Sequence, residues 1–356
     1  MAGYTSSWSL HQFCHHRSNI GRWMGALSQA NLTTIAFIFI LIPAPVSTNV
    51  YIAQLSGVNY TIAGDINLGG IIPLHTYDEM TQTCGAIRSI NALKKVEAMV
   101  YAIEQVNQNA TLLPNITIGF QIHDTCSYNA VTLGECLNFI PSSTDQCCVM
   151  MEGQDGENDT ESCPLDRPPV VGVVGAQRSS SSVQAAILFG LYHIPQVSYL
   201  STSDELSNDL RYPYFLRTVG PDSYQVKAMI DILLHYGWTY ASFINSDDTY
   251  GKSAQQRFTS LAAENHICIG ITRTISLFAD DDSYDEVVEE LLDIQDNSHA
   301  SVVILFVQLE MAQTIFSAAS RMGAQRRFIW IGSDGWGNYG EDATRGNEEV
   351  ALGKCH

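Results

Sequence analysis

Between residues 64 and 333 the sequence alternates short, almost unbroken apolar runs with longer segments whose apolar residues recur at helical spacing. The runs at 65–74, 116–124, 168–176, 195–202, 213–219, 239–246, 267–275, 300–308 and 327–333 read as strands. The segments at 93–107, 128–140, 179–194, 222–237, 249–266, 283–296 and 310–324 read as helices. Strands such as PPVVGVVGA and ASVVILFVQ have almost no polar face, so both faces must be covered. That pattern predicts an α/β fold of doubly wound, mostly parallel sheets with helices on both sides. The number of repeats exceeds one ordinary sheet and predicts two lobes, with the boundary between 215 and 222. Ligands of such folds bind beyond the carboxyl ends of the strands, at a switch point or between lobes.

Charge and processing signals narrow the function. The chain holds 18 Lys and Arg against 37 Asp and Glu, a net charge of −19. A basic nucleic-acid footprint is excluded, and no nucleic-acid partner is expected. Residues 1–46 contain only Arg17 and Arg22 as charged groups, and LTTIAFIFILI at 32–42 suits the apolar region of a signal peptide. Met24 is an alternative start, and a buried core helix is the competing reading of the same run. Sequons at Asn59, Asn109, Asn115 and Asn158 follow that segment, and a fifth, at Asn31, lies within it. Nine cysteines in an oxidising compartment imply disulfides with one thiol left over. Cys147, Cys148 and Cys163 fall in a polar, aperiodic stretch at 141–169 that reads as an exposed loop. Their spacing does not suit zinc, and no metal or cofactor is expected.

Several polar residues fall where strands hand over to helices. Ser179 to Ser182 follow VVGVVGA and open a helix, and Ser201 and Thr202 close the next strand on the same sheet edge. Hydroxyls at a helix start can bind an anion; the competing reading is an ordinary helix cap, which needs one serine rather than four. Asp222, Tyr250 and Asp334 follow three later strands and together suit an ammonium. Taken singly, Asp222 suits a cap, Asp334 a turn and Tyr250 a packing role. Both readings stand at this point; the combined one describes a zwitterion. GxSxG, HExxH, GxGxxG and Walker A sequences are absent, and the pairing of His123 with Cys126 is better explained by a disulfide, so no enzyme is expected.

At these residues the sequence resembles the extracellular Venus-flytrap domain of class C G-protein-coupled receptors, the metabotropic glutamate and calcium-sensing kind. GDINLGGIIPLH, CGAIR, VEAMVYAIEQVN, LLPNITIGFQIHDTC, IPQVSYLSTS, YFLRTVGPDSYQ, GWTYASFINSDDTYG and IGSDGW carry the resemblance, over about 64 to 353. It implies a bilobed, periplasmic-binding-protein-like type I clamshell, with lobes at 64–216 and 217–350. It implies that Ser179 and Thr202 hold the α-carboxylate of an amino acid, with Ser180 as the neighbouring register, and that Asp222, Tyr250 and Asp334 hold the α-ammonium. Asn91, Lys95 and Tyr339 replace the Tyr and two Arg that glutamate-binding members place toward the ligand's far end. Lys95 still suits a distal acid, as a point charge rather than a fork; glutamate, other amino acids and divalent cations all stay open. The resemblance further implies a Cys84–Cys126 disulfide and an intersubunit disulfide of a homodimer, or of a dimer with a related receptor, from Cys147, Cys148 or Cys163. It places Cys268 opposite a cysteine-rich domain. G-protein coupling would need a membrane domain beyond His356, and the segments returning to the first lobe are also lacking. The expectation is a fragment of a cell-surface receptor, since an incomplete sheet exposes edges and apolar surface; a secreted decoy or binding module is the alternative.

Overall fold

A computed structural model describes residues 60–88, 90–140 and 169–352. The leader segment, the sequons at Asn31, Asn59 and Asn158, Cys147, Cys148, Cys163 and the end at 353–356 lie outside these residues.

The alternation of apolar runs and helices resolves into two sheets. The first holds strands β1 (Tyr60–Ile62), β2 (Ile66–Ile72), β5 (Ile118–Asp124), β6 (Val170–Val174), β7 (Gln196–Ser198) and β8 (Phe215–Arg217) in the order β1-β5-β2-β6-β7-β8. Only β1 runs antiparallel to its neighbour; the remaining pairs are parallel. Because β1 belongs to it, this sheet begins upstream of residue 64. A separate antiparallel hairpin joins β3 (His75–Asp78) to β4 (Thr83–Ile87). The second sheet is wholly parallel, in the order β10-β9-β11-β12, from β9 (Tyr240–Ser246), β10 (Cys268–Ile275), β11 (Val302–Phe306) and β12 (Ile329–Gly332).

Helices α1 (Ile90–Gln108), α2 (Asn129–Leu137) and α3 (Ser179–Leu191) cover the first sheet; α4 (Asp222–His235), α5 (Thr249–Glu264), α6 (Asp281–Ser298) and α7 (Leu309–Arg321) cover the second. Three one-turn helices follow: α8 (Asp334–Gly337), α9 (Glu341–Thr344) and α10 (Glu348–Ala351). All five residues of β11 are buried, because alternate side chains feed different cores. Val303 and Leu305 pack with Tyr284, Val288 and Phe316, while Val302, Ile304 and Phe306 pack with Phe243, Phe258 and Ile230. Each such side chain contributes about 1.5–3 kcal/mol of burial, which is why this run tolerates no polar residue.

Two expectations change. The run at 195–202 is not strand throughout: β7 ends at Ser198, and Ser201 and Thr202 lie in the following loop. The cause is the Ser198 hydroxyl, which accepts from the backbone N–H of Ser201 at 3.0 Å and of Leu200 at 3.3 Å, drawing the chain into a turn. The other change is at α3, whose preceding residue is Arg178 and whose end has no side-chain cap, so the four serines are not there for capping.

Candidate ligand-binding site

The strand ends of both sheets open on one cleft of about 250 Å³. Following β6 come Gln177, Arg178 and Ser179; the loop after β7 brings Thr202; α1 contributes Asn91 and Lys95. From the second sheet come Tyr250 in the first turn of α5, Gln308 and Glu310 after β11, and Asp334 and Tyr339 after β12. The volume sits near the lower end of small-molecule sites, about 300–1,000 Å³, and suits a ligand of amino-acid size.

The serine run divides by function. The buried Ser179 hydroxyl faces the cleft wall and accepts from the backbone N–H of Ser203 at 3.2 Å. Ser180 and Ser181 instead donate to Asn129 Oδ1, at 3.1 and 2.9 Å, while Ser182 shares a 2.7 Å hydrogen bond with Ser201. Ser180 therefore faces a different crevice and does not line the cleft with Ser179.

Opposite lies an acidic relay. The Tyr250 hydroxyl donates to Asp334 Oδ1 at 2.6 Å, and Gln225 Nε2 donates to the same oxygen at 3.0 Å and to Asp222 Oδ1 at 2.7 Å. Asp222 opens α4 with 0% exposure and sits behind the wall rather than on it; its backbone N–H donates to Thr202 O at 2.8 Å. Its Oδ2 is buried without a hydrogen bond of ordinary geometry, although the nearby Thr202 hydroxyl favours the charged form. Burial, reinforced by the charge of Asp334, pushes the Asp222 carboxyl up to about 7. Burial and the same two carboxylates raise the Tyr250 phenol well above its usual range, so it stays a donor. Gly335 makes this packing feasible: a Cβ there would lie 2.4 Å from Val307 O and 3.1 Å from the Tyr250 hydroxyl.

The far end of the cleft is rich in charge. Arg88 forms an ion pair with Glu310, joining the residue after β4 to the first turn of α7. Lys95 donates to Gln177 Oε1 and lies 5.9 Å from the centre of the Tyr199 ring; burial and the neighbouring Arg88 bring its ammonium down to about 8, with Glu310 opposing. Arg178 makes no ion pair with a described residue. The predicted Ser179, Thr202, Tyr250, Asp334 and Lys95 thus meet around one space, with Asp222 behind them. Sequence reasoning missed Arg88, Arg178, Gln225, Gln308 and Glu310. The position of Arg178 and Gln308 directly after strand ends, and the i,i+3 spacing of Gln225 from Asp222, were available signals.

Outside the cleft, Cys84 and Cys126 are joined in a disulfide, their Cα atoms 5.5 Å apart, so their grouping with Asp124 offers no thiolate to a metal. Cys268 is free and exposed. No helix among the described residues is long and apolar enough to cross a membrane.

Comparison with known proteins agrees with this geometry. Residues 95–353 match the receptor family ligand binding region. The metabotropic glutamate receptor of Drosophila melanogaster is 37% identical over 297 residues, which cover 83% of this chain and 30% of that protein. Metabotropic glutamate receptor 8 of Homo sapiens is 36% identical over 295 residues, 82% of this chain and 32% of the receptor. The mouse receptor 8 is 36% identical over 293 residues, 82% and 31% respectively. The chain therefore spans just under a third of the length of these relatives. With two parallel α/β sheets closing on one cleft, and with matches over most of its length to receptors rather than enzymes, the chain belongs to the receptor family ligand binding region, as a class C receptor ectodomain of the metabotropic glutamate receptor type.

Proposed function

We propose that the cleft binds an L-α-amino acid and closes on it, in a receptor exposed on the outer face of the plasma membrane. The observation that carries this reading is the placement of Ser179 and Thr202 across one small space from Tyr250 and Asp334. The hydroxyls receive the α-carboxylate at the start of α3, where the helix dipole favours an anion. Asp334 and the Tyr250 hydroxyl receive the α-ammonium, and Asp222, buried behind them, supports the relay through Gln225. Glutamate is the first ligand to test, because the relatives are named for it.

We assign the lobes to 64–216 and 217–350; the break falls at the end of β8, the last strand of the first sheet and shortly before α4. Closure would shift a pre-existing equilibrium toward the state the ligand contacts from both lobes. The partner is a second receptor subunit: Leu133 and Leu137 of α2 and Ile187 and Leu191 of α3 leave an exposed apolar face on two packed helices. Asn109 and Asn115 are exposed and accessible to glycosylation. G-protein signalling would belong to the full-length receptor.

The test is calorimetric titration of the purified chain with amino acids. Thr202→Ala should abolish measurable binding and leave the thermal unfolding transition in place; unchanged affinity would remove the hydroxyl wall from the site.

A further inference from the structure

One neutral side chain joins the two carboxylates of the acidic relay. Gln225 lies three residues after Asp222 in the first turn of α4, on the same face of the helix. Its Oε1 accepts from the backbone N–H of Asp334 at 3.0 Å. Only the oxygen of an amide can accept, so this bond fixes the direction of the NH2. That NH2 donates to Asp222 Oδ1 at 2.7 Å and to Asp334 Oδ1 at 3.0 Å. Asp334 is thus gripped at its backbone and at Oδ1, where the Tyr250 hydroxyl also donates, at 2.6 Å. Its Oδ2 accepts from no described residue, and Asp334 is a half-buried part of the cleft wall. Val226, Met229 and Ile230 pack into the core and hold this stretch of α4 in place.

We propose that Gln225 is a positioning residue for the ligand's α-ammonium, a role that rests on the amino-acid reading above: by clamping Asp334 at its N–H and Oδ1, it presents Oδ2 to the ammonium. Gln225 does not line the cleft and acts through Asp334. The neutrality of the amide matters as much as its reach. Two carboxylates bridged by one amide repel each other, and the donated hydrogen bonds offset that repulsion without cancelling the negative field that attracts a cation. An ammonium in its place would cancel that field and occupy the carboxylates the ligand needs. A side chain with no donor would leave Asp222 and Asp334 facing each other unbridged, and Asp334 free to turn.

The experiment is calorimetric titration of the purified full chain with L-glutamate, L-glutamine and L-alanine, on the parent, Gln225→Met and Gln225→Lys. Thermal unfolding of each protein is measured without ligand. Gln225→Met keeps an unbranched, flexible side chain and removes all three hydrogen bonds. It should bind the amino acid the parent prefers at least about tenfold more weakly, as expected for losing one hydrogen bond to a charged group. Gln225→Lys should bind no better than Gln225→Met, yet unfold at the same or a higher temperature, because its ammonium neutralises both carboxylates. Between these two variants affinity and stability part company, which a residue needed only for packing would not produce. Parent-like affinity in Gln225→Met, or a Gln225→Lys that binds more tightly or unfolds earlier than Gln225→Met, overturns the positioning role and leaves the amino-acid reading intact. No binding of any of the three to the folded parent overturns that reading and the role with it.

Discussion

Asp222 is the residue whose replacement should separate stability from function. Its carboxyl is fully buried and pushed up to about 7, first by burial and then by Asp334. In the unfolded chain it would titrate near 3.9, so between about pH 4 and pH 7 the unfolded state has released a proton that the folded state retains. Stability from this group is therefore complete below about pH 4, falls as pH rises through the window, and levels off above 7. At about 1.4 kcal/mol per pH unit the full cost of ionising it in the fold is about 4 kcal/mol at most. Asp222→Asn keeps the shape and removes the titration. Urea unfolding of both proteins at pH 5 and pH 8 should show the variant gaining about 3 kcal/mol on the parent between the two conditions. Amino-acid binding should weaken in the variant above about pH 7, where the parent carries a negative charge behind Asp334 that the variant lacks. A stability difference that is the same at both pH values would show that water reaches Asp222 and that the burial argument is wrong.

Two further substitutions probe the scaffold. Gly335→Ala places a methyl group 2.4 Å from Val307 O and against the Tyr250 hydroxyl, and should cost about 1–3 kcal/mol in chemical denaturation together with a loss of ligand affinity. Replacing both cysteines, Cys84→Ser with Cys126→Ser, opens a loop of 42 residues and should cost about 4 kcal/mol, read as a fall in Tm against the oxidised parent; an unchanged Tm would mean the hairpin holds without its cross-link.

How much was legible in the sequence follows from the range of each interaction. Every predicted helix is present, because amphipathic spacing is local and a helix closes its own hydrogen bonds; 283–296, for example, is found as Asp281–Ser298 with Asp280 as its cap. The β3–β4 hairpin was missed: its residues are polar and partly exposed, with no apolar run to mark them, and Cys84 is tied to Cys126 on the far side of 42 residues. The overlong strand at 195–202 failed for another reason, since one hydroxyl, that of Ser198, outcompetes the ladder.

The sequence by itself determined the fold class, the two sheets' worth of strands and the group of residues at strand ends, because periodicity and burial are properties of neighbouring positions. Which of those residues share a space was decided only by the tertiary structure. Ser179 and Ser180 are adjacent in the chain, yet a step of about 100° along a helix sends one to the cleft and the other to Asn129. Arg88 and Glu310, 222 positions apart, become partners because two sheets present their strand ends to each other, and no local pattern records such a meeting. The charge state of Asp222 is likewise tertiary: it depends on what excludes water and on how close Asp334 comes, neither of which a sequence of side chains contains.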